Sequence, residues 1–260
     1  MNFPPHTVRI QGHDLEYLRL PPADPAAMGP AIVFLHEGLG SAGLWRDFPH
    51  RVAAATGRET VIYSRRGHGR SSPPEGKRGI DYLHREALDV LPEFLLRLDI
   101  RRPVLFGHSD GASIALIHAG SGHPAAGLIV EAPHVTVEDI TRAGIADTVA
   151  AWRNDGLRER LRRHHRDADV LFQAWSDIWL APEFRSWNIE ALLAGIDIPI
   201  LAIQGEDDAY GTMAQVDRIA ERAGDVDVLK LAGCGHAPHR ELPEKICAAT
   251  VDFLDRRLGR

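Results

Sequence analysis

The chain has 260 residues, 44% hydrophobic and 25% charged, enough for one large α/β domain or two small ones with a sizeable core. Its formal net charge of −6 provides no global basic field to recruit nucleic acid or an acidic membrane surface. The two cysteines, Cys234 and Cys247, belong to no CxxC or metal-spaced set, so neither disulfides nor a thiolate metal site is expected.

The opening residues, MNFPPHTVRIQGHDLEYLRL, lack a basic segment followed by an apolar stretch. No uninterrupted apolar run reaches membrane-spanning length, so a soluble, cytoplasmic protein is expected. Val8 and Ile10, then Leu15, Tyr17, Leu18 and Leu20, predict two strands joined through Gly12, His13 and Asp14 as a hairpin. After a loop rich in proline and glycine, Ala31 to Leu35 (AIVFL) predicts a strand buried on both faces, and it runs into His36-Glu37-Gly38-Leu39-Gly40-Ser41. A helix over Leu44 to Ala55 precedes a second buried strand, Thr60 to Ser64, which ends in a glycine-rich loop. Leu83, Ala87, Val90, Leu91, Phe94 and Leu98 recur at helical spacing, with Pro92 as a source of a kink.

Val104 to Leu116 (VLFGHSDGASIAL) combines an apolar strand, a sharp turn and a small-residue helix. A serine at such a turn adopts a strained backbone that glycines two residues to either side accommodate. Gly107 and Gly111 stand at those positions, so the Ser109 hydroxyl and the next backbone N–H, that of Asp110, reach one spot together. The alternative is a strand-to-helix turn whose serine merely caps the helix. Gly127 to Ala132 predicts another buried strand. The alternation of strand and helix argues for a mostly parallel sheet flanked by helices, with functional loops at the carboxyl ends of the strands.

Between residues 137 and 195 the alternation stops, and four of the five tryptophans, Trp152, Trp175, Trp179 and Trp187, fall there. We read an inserted helical cap at 137–195 on a core made of 1–136 and 196–260. Strands resume over Ile198 to Ile203 and Val226 to Leu231, and a last helix presents Cys247, Val251, Leu254 and Leu258. The two late strands are followed by Gln204-Gly205-Glu206-Asp207-Asp208 and Gly233-Cys234-Gly235-His236. A serine hydroxyl needs a base oriented by a carboxylate, and these loops offer both.

The segments HEGLGS, SRRGHGRSS, GHSDG, QGEDD and GCGHAPHRELP together resemble the α/β-hydrolase-fold serine hydrolases, of the small cytoplasmic esterase kind with a helical cap. The resemblance implies a catalytic triad of Ser109, His236 and Asp208, with Asp207 as the near competitor for the acid and Glu131 as a weaker one. It also implies a second oxyanion donor after AIVFL, the backbone N–H of Gly38, with Leu39 as a neighbour that could serve instead. Glu37 departs from the family pattern, which has glycine directly after the histidine. The GHSDG elbow is similar to that of valacyclovir-hydrolase-like enzymes, in which the aspartate recognises a substrate amino group.

The expected function is cleavage of a carboxylic ester of a small apolar or aromatic substrate. Thioester, lactone and C–C bond hydrolysis, and a receptor-like binder with little turnover, stand as alternatives on the same fold. Leu39, Trp152, Trp175 and Trp179 are the candidate substrate-binding residues, since an apolar cavity above Ser109 needs such walls. No metal or organic cofactor is implied, and neither nucleic acid nor membrane is an expected partner. His36 is read as fixing its loop, Cys234 as packed, and His164, His165 and His239 as lacking metal-ligand spacing. The run Arg158 to Arg166 is read as a solvated helix face, with attraction of an anionic substrate by Arg162 and Arg163 as the sharper alternative.

Overall fold

The computed structural model describes residues 4–24, 29–74, 76–154 and 156–259. A hairpin of β1 (His6–Ile10) and β2 (His13–Leu20) leads to β3 (Ile32–Leu35), α1 (Phe48–Thr56) and β4 (Thr60–Tyr63). A helix built from α2 (Tyr82–Arg85), a π-helical turn (Glu86–Val90) and α3 (Leu91–Arg97) precedes β5 (Val104–His108), α4 (Asp110–Gly120) and β6 (Gly127–Glu131). Next come α5 (Asp139–Asn154), α6 (Leu157–Arg162), α7 (Ala168–Leu180) and α8 (Glu190–Leu193). The chain closes with β7 (Ile200–Gly205), α9 (Ala214–Arg222), β8 (Val226–Leu231), α10 (Pro238–Glu241) and α11 (Pro243–Leu258).

The eight strands form one sheet in the order β1-β2-β4-β3-β5-β6-β7-β8. β2 pairs antiparallel with β1 and β4, and every pairing from β4 to β8 is parallel. Every residue of β3 to β7 is buried, which is why these strands read as continuous apolar runs rather than alternating ones. The alternation survives in where they point. Val33, Leu35 and Leu105 join the core under α2 to α4, while Ile32, Phe34 and Phe106 join the core under α1 and α11. In the second core Phe34 stacks on Phe106 at 4.7 Å with Trp45 edge-on at 5.0 Å.

Several boundaries differ from the sequence expectation for definable reasons. The hairpin turns at Gln11 and Gly12, both at positive φ, so His13 and Asp14 belong to β2 rather than to the turn. The helix expected over 44–55 is broken: a 3-10 turn, Ala42–Trp45, stops at Arg46 (φ 56°), and α1 begins at Phe48. Pro49 lies in that first turn, where it lacks no bond, whereas a continuous helix would place it in the interior. β7 begins at Ile200 because Pro199 has no N–H for the ladder, and it continues through Gln204 and Gly205 against β8. Pro92 sits just after the π turn, which widens the helix where the proline could not bond. In α11 the buried positions are Ile246, Thr250, Phe253 and Leu254, one step round from the predicted face; Cys247, Val251 and Leu258 are only half-buried.

Helices α5 to α8 leave the sheet between β6 and β7. A Thr136–Asn188 bridge and the Ile189 N–H donating to the Val135 carbonyl at 2.9 Å tie the two ends of this excursion together. α8 packs on α4 and α9 rather than on α5 to α7. Among the described residues no helix is long and apolar enough to cross a membrane.

Candidate active site

Because β3 to β8 run parallel, the loops holding Gly38, Ser109, Asp208 and His236 all leave the same edge of the sheet. Ser109 follows β5 and caps α4 at φ 53° and ψ −115°, a strained region for a residue with a side chain. The chain can turn there because its neighbours have no Cβ. One on Gly111 would lie 1.9 Å from the Leu35 carbonyl oxygen, and one on Gly107 would lie 2.3 Å from the Gly111 oxygen. The Ser109 N–H donates to the Glu131 carbonyl at 2.9 Å, and Asp110, as the first residue of α4, has an N–H with no partner in the preceding turn.

His236 Nδ1 lies 2.9 Å and 2.8 Å from the two carboxylate oxygens of Asp208. Asp208 is itself oriented: the Tyr210 N–H donates to Oδ1 and the Gln204 amide to Oδ2, each at 2.7 Å. Burial works to raise the Asp208 carboxyl, but the hydrogen bond and charge of His236 hold it below its ordinary value. The imidazole is 21% exposed and its carboxylate 1%. Asp207, by contrast, is exposed, and its N–H is spent on the Cys234 carbonyl. His108, next to Ser109, places Nε2 2.7 Å from the His236 carbonyl oxygen, so the elbow and the histidine loop are joined directly. Among the described residues the Ser109 hydroxyl donates to no acceptor, and such contacts commonly tighten only when substrate is present.

The loop after β3 resolves the role of Glu37. Its carboxylate accepts the Leu39 N–H, so that group is occupied, and the Gly40 N–H returns to the Glu37 carbonyl at 3.0 Å. Neither of these two contacts uses the N–H of Gly38. Burial pushes the Glu37 carboxyl up, with the Leu39 N–H opposing. His36 accepts the Arg65 N–H at Nε2 (3.0 Å), which braces the loop as expected.

Asp110 does not stand free. Its Oδ2 accepts from the Tyr82 hydroxyl at 3.0 Å and pairs with the Arg65 guanidinium at 3.3 Å, both partners of the ion pair being buried. Arg65 also donates to the carbonyls of His36 (3.3 Å) and Glu37 (2.9 Å), tying the elbow to the Gly38 loop. An amino group seeking Asp110 would have to compete with this guanidinium.

The tryptophans separate. Trp175 packs on the Gly38 loop so closely that a Cβ on Gly38 would lie 2.3 Å from its Nε1. Trp179 lies against His134 (5.1 Å), whose ring is 6.1 Å from that of His236. Trp152 instead stacks on Phe172 at 4.0 Å and shares a surface cleft with Arg158 and Asp169, away from the Gly38 loop. Arg158 and Arg162 pair with Asp169, and Arg162 also with Glu159, as expected of a solvated face. His165 joins this helical region to two core loops, accepting the Gly69 N–H at Nδ1 (2.9 Å) and placing Nε2 3.0 Å from the Leu39 carbonyl.

Glu131 serves a different histidine from the one the sequence suggested. Its carboxylate lies 2.5 Å from His239 Nδ1 and accepts the His239 N–H at 2.6 Å. With His108 these residues bring ligand-type atoms within 4.8 Å of one another, but their polar atoms already serve each other and the His236 carbonyl. Cys234 is buried, and burial pushes its thiol up to about 12, the reverse of an activated nucleophile. Sequence reasoning missed Arg65, Tyr82, His134 and Gln204; of these only Gln204, a polar residue inside an apolar strand, left a readable signal.

This strand order and elbow define a class, and residues 32–249 match the alpha/beta hydrolase family, to which the chain belongs. It is a hydrolase. A curated esterase/lipase of Mycoplasma genitalium is 23% identical over 185 residues, covering 65% of this chain and 69% of its own. Among solved structures, the enol-lactonase from Burkholderia xenovorans LB400 superposes with a TM-score of 0.74 at 19% identity, covering 96% of this chain and 99% of its own. An esterase from Rhodococcus sp. ECU1013 gives a TM-score of 0.71 at 19% identity, covering 99% and 100%. Identities this low carry the fold alone.

Proposed function

We propose that the protein is a serine hydrolase that cleaves a carboxylic ester of a small apolar or aromatic substrate through an acyl-enzyme. Ser109 Oγ attacks the carbonyl carbon while His236 Nε2 takes its proton, and Asp208 at Nδ1 fixes the tautomer and stabilises the imidazolium. The N–H groups of Asp110 and Gly38 receive the developing oxyanion; losing one such donor costs about 100- to 1000-fold in turnover. His236 then protonates the leaving alcohol, and the same imidazole activates the water that frees the acid. Residues 137–195 act as the cap, with Leu39, Trp175 and Trp179 as walls of the substrate site and Trp152 supporting α7 from outside.

The observation that carries this reading is a serine held at positive φ at the end of a buried strand, with an imidazole oriented by a buried carboxylate on the same sheet edge. A fluorophosphonate probe should label Ser109, and Ser109→Ala should lower turnover of p-nitrophenyl esters on the order of a million-fold. Undiminished turnover in that variant would refute the covalent route.

A further inference from the structure

Helix α5 carries a stripe that the hydrolytic chemistry above leaves unexplained. Glu138, just before the helix, and Thr141, Gly144 and Thr148 within it recur at helical spacing and share one face. Each of them grips the loop that follows Asp208. The Glu138 carboxylate accepts the Thr212 N–H at 2.9 Å and the Thr212 hydroxyl at 2.6 Å. The Thr141 hydroxyl donates to the Tyr210 carbonyl at 2.6 Å. A Cβ on Gly144 would lie 2.5 Å from the Ala209 carbonyl oxygen, so helix and loop meet backbone to backbone. The Thr148 hydroxyl lies 2.6 Å from that of Tyr210 and 2.8 Å from the Gly144 carbonyl. A threonine has one hydrogen to give; the carbonyl, which can only accept, takes it, and the phenol donates to Thr148. Burial pushes the Tyr210 phenol up, which keeps that proton in place.

Tyr210 touches both members of the histidine–carboxylate pair. Its N–H donates to Asp208 Oδ1 at 2.7 Å, and its ring centroid lies 4.6 Å from that of His236. From the sheet side the loop is held by Gln204, whose amide donates to Asp208 Oδ2 at 2.7 Å and to the Gly211 carbonyl at 3.1 Å. The rings of His108 (5.1 Å) and His134 (6.1 Å), which also flank the imidazole, belong to β5 and to the loop after β6, whereas that of Tyr210 is fastened to α5. We propose that Tyr210 is a positioning residue through which α5 sets the alignment of the Asp208–His236 pair. The alignment is a property of the folded chain; only its kinetic consequence rests on the hydrolytic reading above. α5 thereby acts on the proton-transfer step without touching substrate, which requires an effect on kcat and none on KM.

Tyr210→Phe and Thr148→Val remove the two hydroxyls one at a time and keep the shapes of the side chains. Each should lower kcat on p-nitrophenyl esters about fivefold at constant KM, and the double variant should lose no more than either alone, because both act through one hydrogen bond. Tyr210→Ala, which removes the ring, should cost about 100-fold in kcat. Proton NMR of the full chain reads the alignment without turnover. The downfield resonance of the His236 Nδ1–H, assigned by its loss in His236→Gln, should broaden in either hydroxyl variant and vanish in Tyr210→Ala. Fluorophosphonate labelling of the wild type judges the ester chemistry separately: its failure with this resonance pattern intact would strike the hydrolytic reading and uphold the positioning. Additive losses in the double variant, a loss expressed in KM alone, or an unchanged resonance in Tyr210→Ala would each overturn the proposal.

Discussion

Two histidine–carboxylate pairs lie three residues apart in the chain and end in different roles. His236 with Asp208 and His239 with Glu131 have comparable contacts, 2.8 Å and 2.5 Å. What differs is the far side of the imidazole. His236 stays 21% exposed at the sheet edge, whereas His239 is 4% exposed and wedged against Trp45 at 4.6 Å. A carboxylate that orients an imidazole supports proton transfer only where the opposite nitrogen can meet a substrate. Sealed under an indole, the same chemistry becomes a fastener, here one that secures the turn carrying His236.

The comparison breaks most readily at Asp208. Asp208→Asn should lower kcat on the order of 10⁴-fold by favouring the wrong imidazole tautomer, with little change in KM; a loss under tenfold in steady-state assays would demote the exposed pair. Acid sharpens the contrast from outside both pairs. His118, His134 and His165 are each lowered to about 4 by burial from an ordinary 6.5. Between those values the unfolded chain binds more protons than the native one. Stability is therefore full above pH 6.5 and should fall on the order of 2 kcal/mol per histidine by pH 5, read from urea midpoints. Asp208, whose carboxyl is lowered, adds its own loss only at more acid pH.

Glu131→Gln should cost about 2 kcal/mol of stability while leaving kcat within about tenfold; a collapse of kcat with an unchanged unfolding midpoint would mean that the sealed pair does chemistry. The smallest effect belongs to the outer helical face. Arg162→Gln with Arg163→Gln should leave KM for acidic and neutral esters alike within about twofold, because exposed pairs contribute little. A rise confined to acidic esters would bring that face into the substrate path.

What could be read in advance depended on distance along the chain. Ser109, Asp208 and His236 each follow an apolar strand within a few residues, and the strand pattern alone places such loops on one edge. Asp208 and Asp207 could not be separated that way, since only the depth of Gln204 and Tyr210 beneath the loop decides which carboxylate turns inward. Glu131 was visible as an acid at a strand end, but its partner is 108 positions away. The Arg65–Asp110–Tyr82 cluster leaves no periodicity at all, and neither does the contact of Trp175 with Gly38. Helix faces were legible to within one step: α11 carries apolar residues on two overlapping stripes, of which Ile246 and Phe253 enter the core under the sheet while Cys247 and Val251 border a groove with Arg51 and Ala55 of α1.

His165 receives a proton-bearing nitrogen from one loop and offers its own to another, which a neutral ring can do in only one of its two forms, with hydrogen on Nε2. A single tautomer thus clips the segment between α6 and α7 to the loops that follow β3 and β4. Removing that ring would take one contact from each loop together, while the loop after β3 would keep its bonds through Glu37, His36 and Arg65.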